Sequence, residues 1–127
     1  MIIKVISDCK ITKNFALSEF VCKEGLGEVL IDMPSIQLLQ RLRDQFGKPI
    51  TVLSAYRSLK YNTKIGSLPT SQHIKGKAFD IQIKGETPEH VGDIASRMGF
   101  NGIGIYDTFT HVDTRTVKSK WDERTKE

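Results

Sequence analysis

The sequence predicts an α+β fold with a small, mainly antiparallel sheet and two or three helices. Two segments have helical periodicity with capping residues at both ends, and several others alternate apolar and polar residues as strands do. These segments follow one another without the strict strand–helix–strand rhythm of a parallel α/β protein. The 127 residues carry no repeat or linker, so we expect one domain over residues 1–127.

Two helices and a shorter third one are predicted from periodicity and capping residues. The segments 34–46 and 88–98 both carry apolar residues at helical spacing. "LSEFVC" is typical of a short helix with Ser18 as its N-cap and Glu19 near the positive end of the helix dipole. Residues typical of helix ends bound the two longer segments: Pro34, Gly47, Thr87, Pro88 and Gly99.

Four strands are predicted, together with a polar loop over residues 57–72. The strand segments are "PITVLSAY", "KAFDIQIKG", "NGIGIYD" and "FTHVDTR", and a tight turn near Asp107 and Thr108 joins the last two. The final stretch, "KSKWDERTKE", is mostly charged, and we expect it to fray apart from Trp121.

Composition limits the classes of function. No run of 18 apolar residues is present, so we expect no membrane span, and no secretory leader is visible. The net charge of +4 favours anionic partners such as nucleic acid or cell-wall polymers. No Arg-rich helix with interleaved aromatic residues offers a dedicated nucleic-acid surface. Cys9 and Cys22 are expected to be two small thiols beside the core, with a single disulfide as the alternative.

Three residues, His73, Asp80 and His111, carry the predicted chemistry. Alternation puts Asp80 on the polar face of its strand, and it puts His111 and Asp113 on one face of theirs. If these strands are neighbours, about 4.8 Å apart, Asp80 and His111 converge, and a short loop around Gly76 returns His73 to them. Two imidazoles and one carboxylate around an open position match a catalytic zinc site. Ordinary hydrogen-bonded or surface roles are the alternative for each residue.

The motif "SQHIKGKAFDI" followed by "THVD" resembles the SxHxxGxAxD and C-terminal HxD pattern of the M15 zinc peptidases. This group includes D-alanyl-D-alanine carboxypeptidases and L-alanyl-D-glutamate endopeptidases of phage lysis enzymes, with the hedgehog signalling domain as a structural cousin. "NFALSEFVC", "LSAYRSLKYN" and "GFNGIGIYDTFTHVDTR" are similar to further family segments, so the resemblance covers about residues 14–121. It implies a hedgehog- or DD-peptidase-like fold.

The resemblance also implies roles for individual residues. His73, Asp80 and His111 would bind one Zn²⁺ per chain, and Arg57 would hold the substrate carbonyl or the oxyanion that forms from it. Three further residues are candidates for substrate binding, the last two of them equally well explained as loop structure: Ser71, Tyr56 and Asn62.

The general base is where the sequence departs from the family pattern. Many relatives place Glu or Asp three residues before the last zinc histidine, or His two residues before it, and these positions hold Thr108 and Phe109 here. Asp107 at the predicted turn is slightly favoured as the base. Asp113 is the alternative, either as the base or as an orienting partner of His111.

These features predict a zinc-dependent peptidase that hydrolyses amide bonds in bacterial peptidoglycan stem peptides, as a D-Ala-D-Ala carboxypeptidase or an endopeptidase. We expect a monomeric phage or prophage lysis enzyme, made in the cytoplasm and released to the wall by another factor, or carried with a virion. The alternative is a catalytically silent zinc-containing binding or structural module, which the missing base favours.

Overall fold

The computed structural model describes residues 2–4, 8–24 and 27–125. It contains helices and strands in an irregular order, as the sequence predicts. The helices are α1 (Met33–Phe46), α2 (Leu59–Lys64) and α3 (Pro88–Met98), with 3₁₀ turns at Leu17–Phe20 and Gln72–Lys75. The strands are β1 (Ile2–Lys4), β2 (Glu28–Leu30), β3 (Ile50–Ser54), β4 (Ala78–Ile83), β5 (Gly102–Ile105), β6 (Thr110–Asp113) and β7 (Ser119–Asp122).

The strands form a five-stranded sheet in the spatial order β3–β4–β6–β5–β7 and a separate ribbon of β1 and β2. All neighbours in the larger sheet are antiparallel except β5 and β7, which run parallel. The predicted α+β fold with a mainly antiparallel sheet is confirmed. The register pairs Asp80 of β4 with His111 of β6, and His111 with Gly104 of β5.

The two long helices lie where the sequence predicts them. Helix α1 begins at Met33, one residue before the predicted start, because the Asp32 carboxylate accepts a hydrogen bond from a first-turn N–H. It ends at Phe46 and is followed by Gly47, whose φ of 64° is left-handed. Helix α3 covers the predicted segment 88–98, and the Thr87 hydroxyl caps it.

The short turn Leu17–Phe20 differs from its prediction. Ser18 is not the N-cap, because it lies inside the turn and its hydroxyl donates a 2.7 Å hydrogen bond to Asp8. The Glu19 carboxylate instead accepts the N–H of Ala16 at 2.7 Å and satisfies the start of the turn.

Two segments predicted to be irregular contain regular structure. The polar loop 57–72 includes α2, because the Ser58 hydroxyl accepts the N–H of Tyr61 at 3.2 Å and begins a helix there. The last stretch does not simply fray, because residues 119–122 form β7, and its final two residues, 126 and 127, lie outside the described ranges. Trp121 anchors this strand by lying over Gly104, where an added Cβ would come within 2.5 Å of the indole nitrogen.

The helices leave one face of the sheet open. Helix α3 packs against β5 and β6, and α1 packs against α3, so both cover the face that carries Ile103, Ile105 and Val112. The opposite face of β6 carries His111 and Asp113. This separation follows from strand alternation and sends the polar residues away from the core.

The cysteine prediction is half correct. Cys22 is buried in the core, but Cys9 is exposed, and both thiols are free. Within the described ranges, no helix is both long and apolar enough to cross a membrane.

Candidate metal centre

The three predicted metal ligands meet on the open face of the sheet. Asp80 and His111 come from the paired strands β4 and β6, and His73 lies on the 3₁₀ turn that precedes β4. Asp80 Oδ1 lies 3.0 Å from His111 Nδ1 and 3.3 Å from His73 Nε2. One ligand atom from each residue lies within 4.8 Å of the other two.

A tightly packed turn returns His73 to the sheet. The Ser71 hydroxyl caps this turn by accepting the N–H of His73 at 3.2 Å. Gly76 ends the turn with a φ of 71°, and a Cβ there would come within 2.5 Å of the Leu30 carbonyl oxygen. Glycine is therefore required at this position by both conformation and space.

Hydrogen bonds behind the two histidines orient their ring nitrogens. The Nδ1–H of His73 donates to the Ala55 carbonyl at 2.6 Å, since a carbonyl can only accept, and Nε2 is left to face Asp80. The Nε2–H of His111 donates to Asp113 Oδ2 at 2.6 Å and leaves Nδ1 facing Asp80. With both rings neutral, these two nitrogens and the Asp80 oxygen would direct three lone pairs at one another, an arrangement that a cation stabilises. Without a cation, a proton on the facing nitrogen of either ring is instead donated to Asp80.

The electrostatics keep both carboxylates ionised. Burial disfavours the charged form of Asp80, but hydrogen bonds from His111 and His73 outweigh it and hold the pKa of Asp80 well below its usual range. Burial also raises the pKa of Asp113, but hydrogen bonds from Arg115 and His111 outweigh this effect and hold the pKa well below its usual range. The pKa of His111 is raised, since its two carboxylate partners outweigh the effect of its burial.

The donor set fits zinc. Two imidazole nitrogens and one carboxylate oxygen are ligands that zinc takes in catalytic sites, and three protein ligands leave a fourth position for water or substrate. All three ligands are buried, and they line the wall of an open cleft of about 530 Å³. The other residues lining this cleft are Arg57, Ile65, Ser67, Leu68, Thr70, Ser71, Gln72, Tyr106, Phe109, Arg115 and Trp121.

Arg57 lies beside the ligands, where the sequence places it. Its Nη2 donates to Asp80 Oδ2 at 3.1 Å, and its Nε donates to the Ser54 hydroxyl at 3.2 Å. Its backbone N–H also donates to the His73 carbonyl at 3.1 Å. The guanidinium is therefore held against the cleft from the β3 side of the sheet.

The three candidates for substrate binding differ in position. Ser71 lines the cleft. Tyr56 and Asn62 are buried and absent from the cleft lining, and the Asn62 amide donates to the Leu68 carbonyl at 2.8 Å. Burial favours the loop-structure explanation for these two residues, and a substrate-binding role for Ser71 stays a prediction.

Neither candidate base lines the cleft. Asp107 is exposed, and its carboxylate accepts hydrogen bonds from the N–H and the hydroxyl of Thr125 at 2.8 and 2.5 Å. Asp113 is fully buried behind His111 and accepts hydrogen bonds from Arg115. This position suits the predicted alternative role of Asp113 as a partner that orients His111. Asp107 as the base stays a prediction that its position does not favour.

Several cleft residues escaped the sequence reasoning, among them three that contact one another: Tyr106, Arg115 and Trp121. The Trp121 indole N–H donates to the Tyr106 hydroxyl at 3.0 Å, and the Arg115 guanidinium lies 5.0 Å from the Trp121 ring centroid. A signal was present in "NGIGIYD", because glycine recurs at every second position. Gly102 and Gly104 leave the face of β5 bare, and the side chains of Asp113 and Trp121 occupy that space.

Comparisons with known proteins agree with this site. The model of the family described as peptidase M15 matches residues 13–113. Peptidoglycan L,D-endopeptidase MepK of Escherichia coli strain K12 is 33% identical over 93 residues, which cover 66% of this chain and 51% of that protein. The probable peptidoglycan L,D-endopeptidase MepK of Haemophilus influenzae is 38% identical over 77 residues, covering 55% of this chain and 41% of that protein.

The chain thus spans about half the length of the curated relatives it matches. The matched region contains the three candidate ligands, Arg57 and Asp113. It includes four strands of the five-stranded sheet, β3 to β6, and ends before β7. This chain belongs to the peptidase M15 family, a family of peptidases that depends in general on zinc.

Proposed function

We propose that this chain is a zinc-dependent peptidase that cleaves an amide bond in the stem peptides of bacterial peptidoglycan. The observation that carries the proposal is the convergence of His73 Nε2, Asp80 Oδ1 and His111 Nδ1 in an open cleft beside a fixed arginine. The names of the MepK relatives support peptidoglycan as the substrate.

Each residue of the cleft would have a defined task. Zinc, when bound, polarises a carbonyl and lowers the pKa of a water to about 7. Ala55 and Asp113 hold the two imidazoles in the orientation that directs a lone pair to the ion. Arg57 keeps one guanidinium nitrogen, Nη1, without a partner among the described residues, and this group would donate to the substrate's carbonyl oxygen as negative charge develops.

An endopeptidase reaction is favoured over removal of a terminal D-alanine. Both MepK relatives carry the name L,D-endopeptidase, which describes a cut between an L- and a D-residue. The cleft is also open, with a volume of about 530 Å³, as a substrate that continues on both sides of the cut requires.

Mass spectrometry of digested peptidoglycan tests the proposal. Zinc-loaded protein should release fragments whose masses identify a cut between an L- and a D-residue, and a chelator should stop the release. His73→Ala should abolish cleavage because it removes a ligand. His90→Ala is the matched control, since His90 is an exposed histidine on α3 that pairs with Glu86 and should leave cleavage unchanged.

A catalytically silent zinc module is the second candidate. The observation that favours it is that Asp80 is the only carboxylate residue lining the cleft among the described residues. The same digestion separates the two functions. A protein with one zinc per chain that binds peptidoglycan but releases no fragment would be a module and not a peptidase.

The setting of a phage or prophage lysis enzyme also remains our proposal. The net charge of +4 supports it, because a basic protein is attracted to anionic wall polymers. If this attraction matters, binding to isolated walls should weaken steeply as salt rises, and removal of the anionic polymers from the walls should remove that salt dependence.

A further inference from the structure

We propose that the Tyr106 hydroxyl is a substrate-contacting group, which donates a hydrogen bond to a peptide carbonyl on the side of the metal ligands opposite Arg57. The inference rests on the proposed peptidase function and extends it to a residue outside the motifs "SQHIKGKAFDI" and "THVD". Tyr106 directly follows β5 and lines the same cleft as the three ligands.

Three contacts hold the Tyr106 ring in one position. Its backbone N–H donates to the Phe109 carbonyl at 3.1 Å across the β5–β6 turn. Its ring stacks on that of Phe109, with centroids 4.4 Å apart and planes at 8°. Its hydroxyl oxygen lies 3.0 Å from the indole nitrogen of Trp121. The phenol is therefore preorganised, so little conformational entropy is lost when it binds a substrate.

The direction of the Trp121 hydrogen bond leaves the phenol proton free. An indole N–H can only donate, so the Tyr106 oxygen must be the acceptor in this bond. The hydroxyl has no second partner within the described part of the chain. Its own proton is therefore available to an acceptor in the cleft, and the peptide carbonyl of a bound substrate is such an acceptor.

The strand order places this donor across the ligands from Arg57. Arg57 follows β3 at one edge of the sheet, Asp80 and His111 lie on β4 and β6, and Trp121 lies on β7 at the other edge. The Trp121 ring centroid is also 5.0 Å from that of His111. A peptide that crosses the strands over the ligands therefore meets Arg57 on one side and the Tyr106 hydroxyl on the other.

The test compares Tyr106→Phe with Trp121→Phe. Tyr106→Phe keeps the stacked ring and removes only the hydroxyl, so we expect a loss of about tenfold in kcat/KM on a soluble stem peptide, as for one lost hydrogen bond. Trp121→Phe keeps the hydroxyl, so we expect a smaller loss. The double variant should be no worse than Tyr106→Phe, because the indole N–H acts on the substrate only through the phenol. Tyr61→Phe, on a helix outside the cleft lining, is the control for the change itself.

Zinc content is measured for every variant and should stay at the wild-type value, which separates loss of substrate contact from loss of the site. The melting temperature should stay at the wild-type value in Tyr106→Phe and Tyr61→Phe, whereas Trp121→Phe, which changes the side chain that anchors β7, is expected to lower it. Tyr106→Phe kinetics within twofold of wild type would overturn the inference, as would equal losses in Tyr106→Phe and Trp121→Phe. If the wild type binds the peptide without cleaving it, the peptidase proposal fails. The contact between the Tyr106 hydroxyl and the peptide is then tested by calorimetry, and a Kd about tenfold higher in Tyr106→Phe than in the wild type supports it. If the wild type neither binds nor cleaves the peptide, both are overturned.

Discussion

At the scale of single residues, Asp113 determines how the candidate zinc ligand His111 is oriented toward the cleft. It is fully buried, accepts the Nε2–H of His111 at 2.6 Å and is held by the Arg115 side chain at 2.8 and 2.6 Å. A buried carboxylate without such partners would be strongly unfavourable. The interaction therefore stabilises Asp113 and at the same time fixes the tautomer and ring orientation of His111.

Replacing Asp113 should weaken zinc binding without removing a ligand. Asp113→Asn removes the charge that fixes the His111 tautomer, so we expect zinc affinity to fall by about 10- to 100-fold. Competition with a chromophoric chelator measures this affinity. Asp93→Asn, which changes an exposed aspartate on α3, is the control. Unchanged zinc affinity in Asp113→Asn would contradict the orienting role.

Asp107 offers a prediction that depends on pH. Hydrogen bonds from the Thr125 hydroxyl and N–H lower the pKa of Asp107 below its usual value of 3.8. A carboxyl group whose pKa is lower in the folded state than in the unfolded state stabilises the protein at pH values above its unfolded-state pKa. This stabilisation is lost as the pH falls through the folded-state pKa. Asp107→Asn should therefore melt below wild type at pH 7, and the two melting curves should converge as pH falls below 3.8.

The same variant tests the predicted general base. If Asp107 only ties Thr125 to the β5–β6 turn, peptidase activity in Asp107→Asn should stay within about twofold of wild type. A base contributes about 10²- to 10⁴-fold to the rate. A loss of that size at unchanged melting temperature would establish Asp107 as the base despite its position outside the cleft.

At the scale of elements, β5 serves the site by lacking side chains on the cleft face. Gly102 pairs with Asp113 and Gly104 with His111, and a Cβ on Gly102 would overlap the Asp113 carboxylate. The neighbouring strands therefore fold their longer side chains over β5. Glycine weakens a strand, but at these two positions it leaves the space that the side chains of Asp113 and Trp121 occupy.

A methyl group on this strand should disturb the site more than the fold. Gly102→Ala forces the Asp113 carboxylate away from His111, so we expect weaker zinc binding together with a lower melting temperature. Ile103→Val is the control on the same strand, because its side chain faces α3 and the core. It should cost about 0.5–1.5 kcal/mol of stability and leave zinc affinity unchanged. Equal zinc affinity in both variants would contradict this account of β5.

At the scale of the whole molecule, a bound ion would cross-link segments that are distant in sequence. Its ligands come from positions 73, 80 and 111, on a turn and two paired strands. Because an unfolded chain does not gather these groups, zinc should bind the folded state far more tightly than the unfolded one. Zinc binding and folding are therefore linked.

Zinc should raise the melting temperature, by an amount that grows with the logarithm of the free zinc concentration once that concentration exceeds the Kd. At a free concentration about 100 times the Kd, binding to the folded state alone adds about 2.7 kcal/mol to the free energy of unfolding. Calorimetry with zinc, and with a chelator, measures the shift. The shift should disappear in His111→Ala and persist in His90→Ala. If the melting temperature of the wild type does not change when zinc is added, the three side chains do not hold the ion.

Local patterns predicted much of this architecture. Periodicity and end residues located α1 and α3 within a residue, because caps act through neighbouring backbone groups. Alternation put His111 and Asp113 on one face of β6, because the side-chain period of a strand is fixed by its geometry. Two predictions were wrong, Ser18 as an N-cap and the fraying of the segment that forms β7. Both depend on contacts with residues outside the local pattern, Asp8 for Ser18 and Gly104 for Trp121.

By itself, the sequence determined the family and the fold class, and it picked out the three residues that the structure brings together as a candidate metal site, because these depend on residue types at characteristic spacings. Only the tertiary structure decided which polar residues share the cleft. It buried Tyr56, Asn62 and Asp113, turned Asp107 toward Thr125, and brought Tyr106, Arg115 and Trp121 to the cleft. The physical reason is that a side chain's surroundings depend on strand order and on the space left by its neighbours, such as the bare face of β5, and no local pattern encodes these.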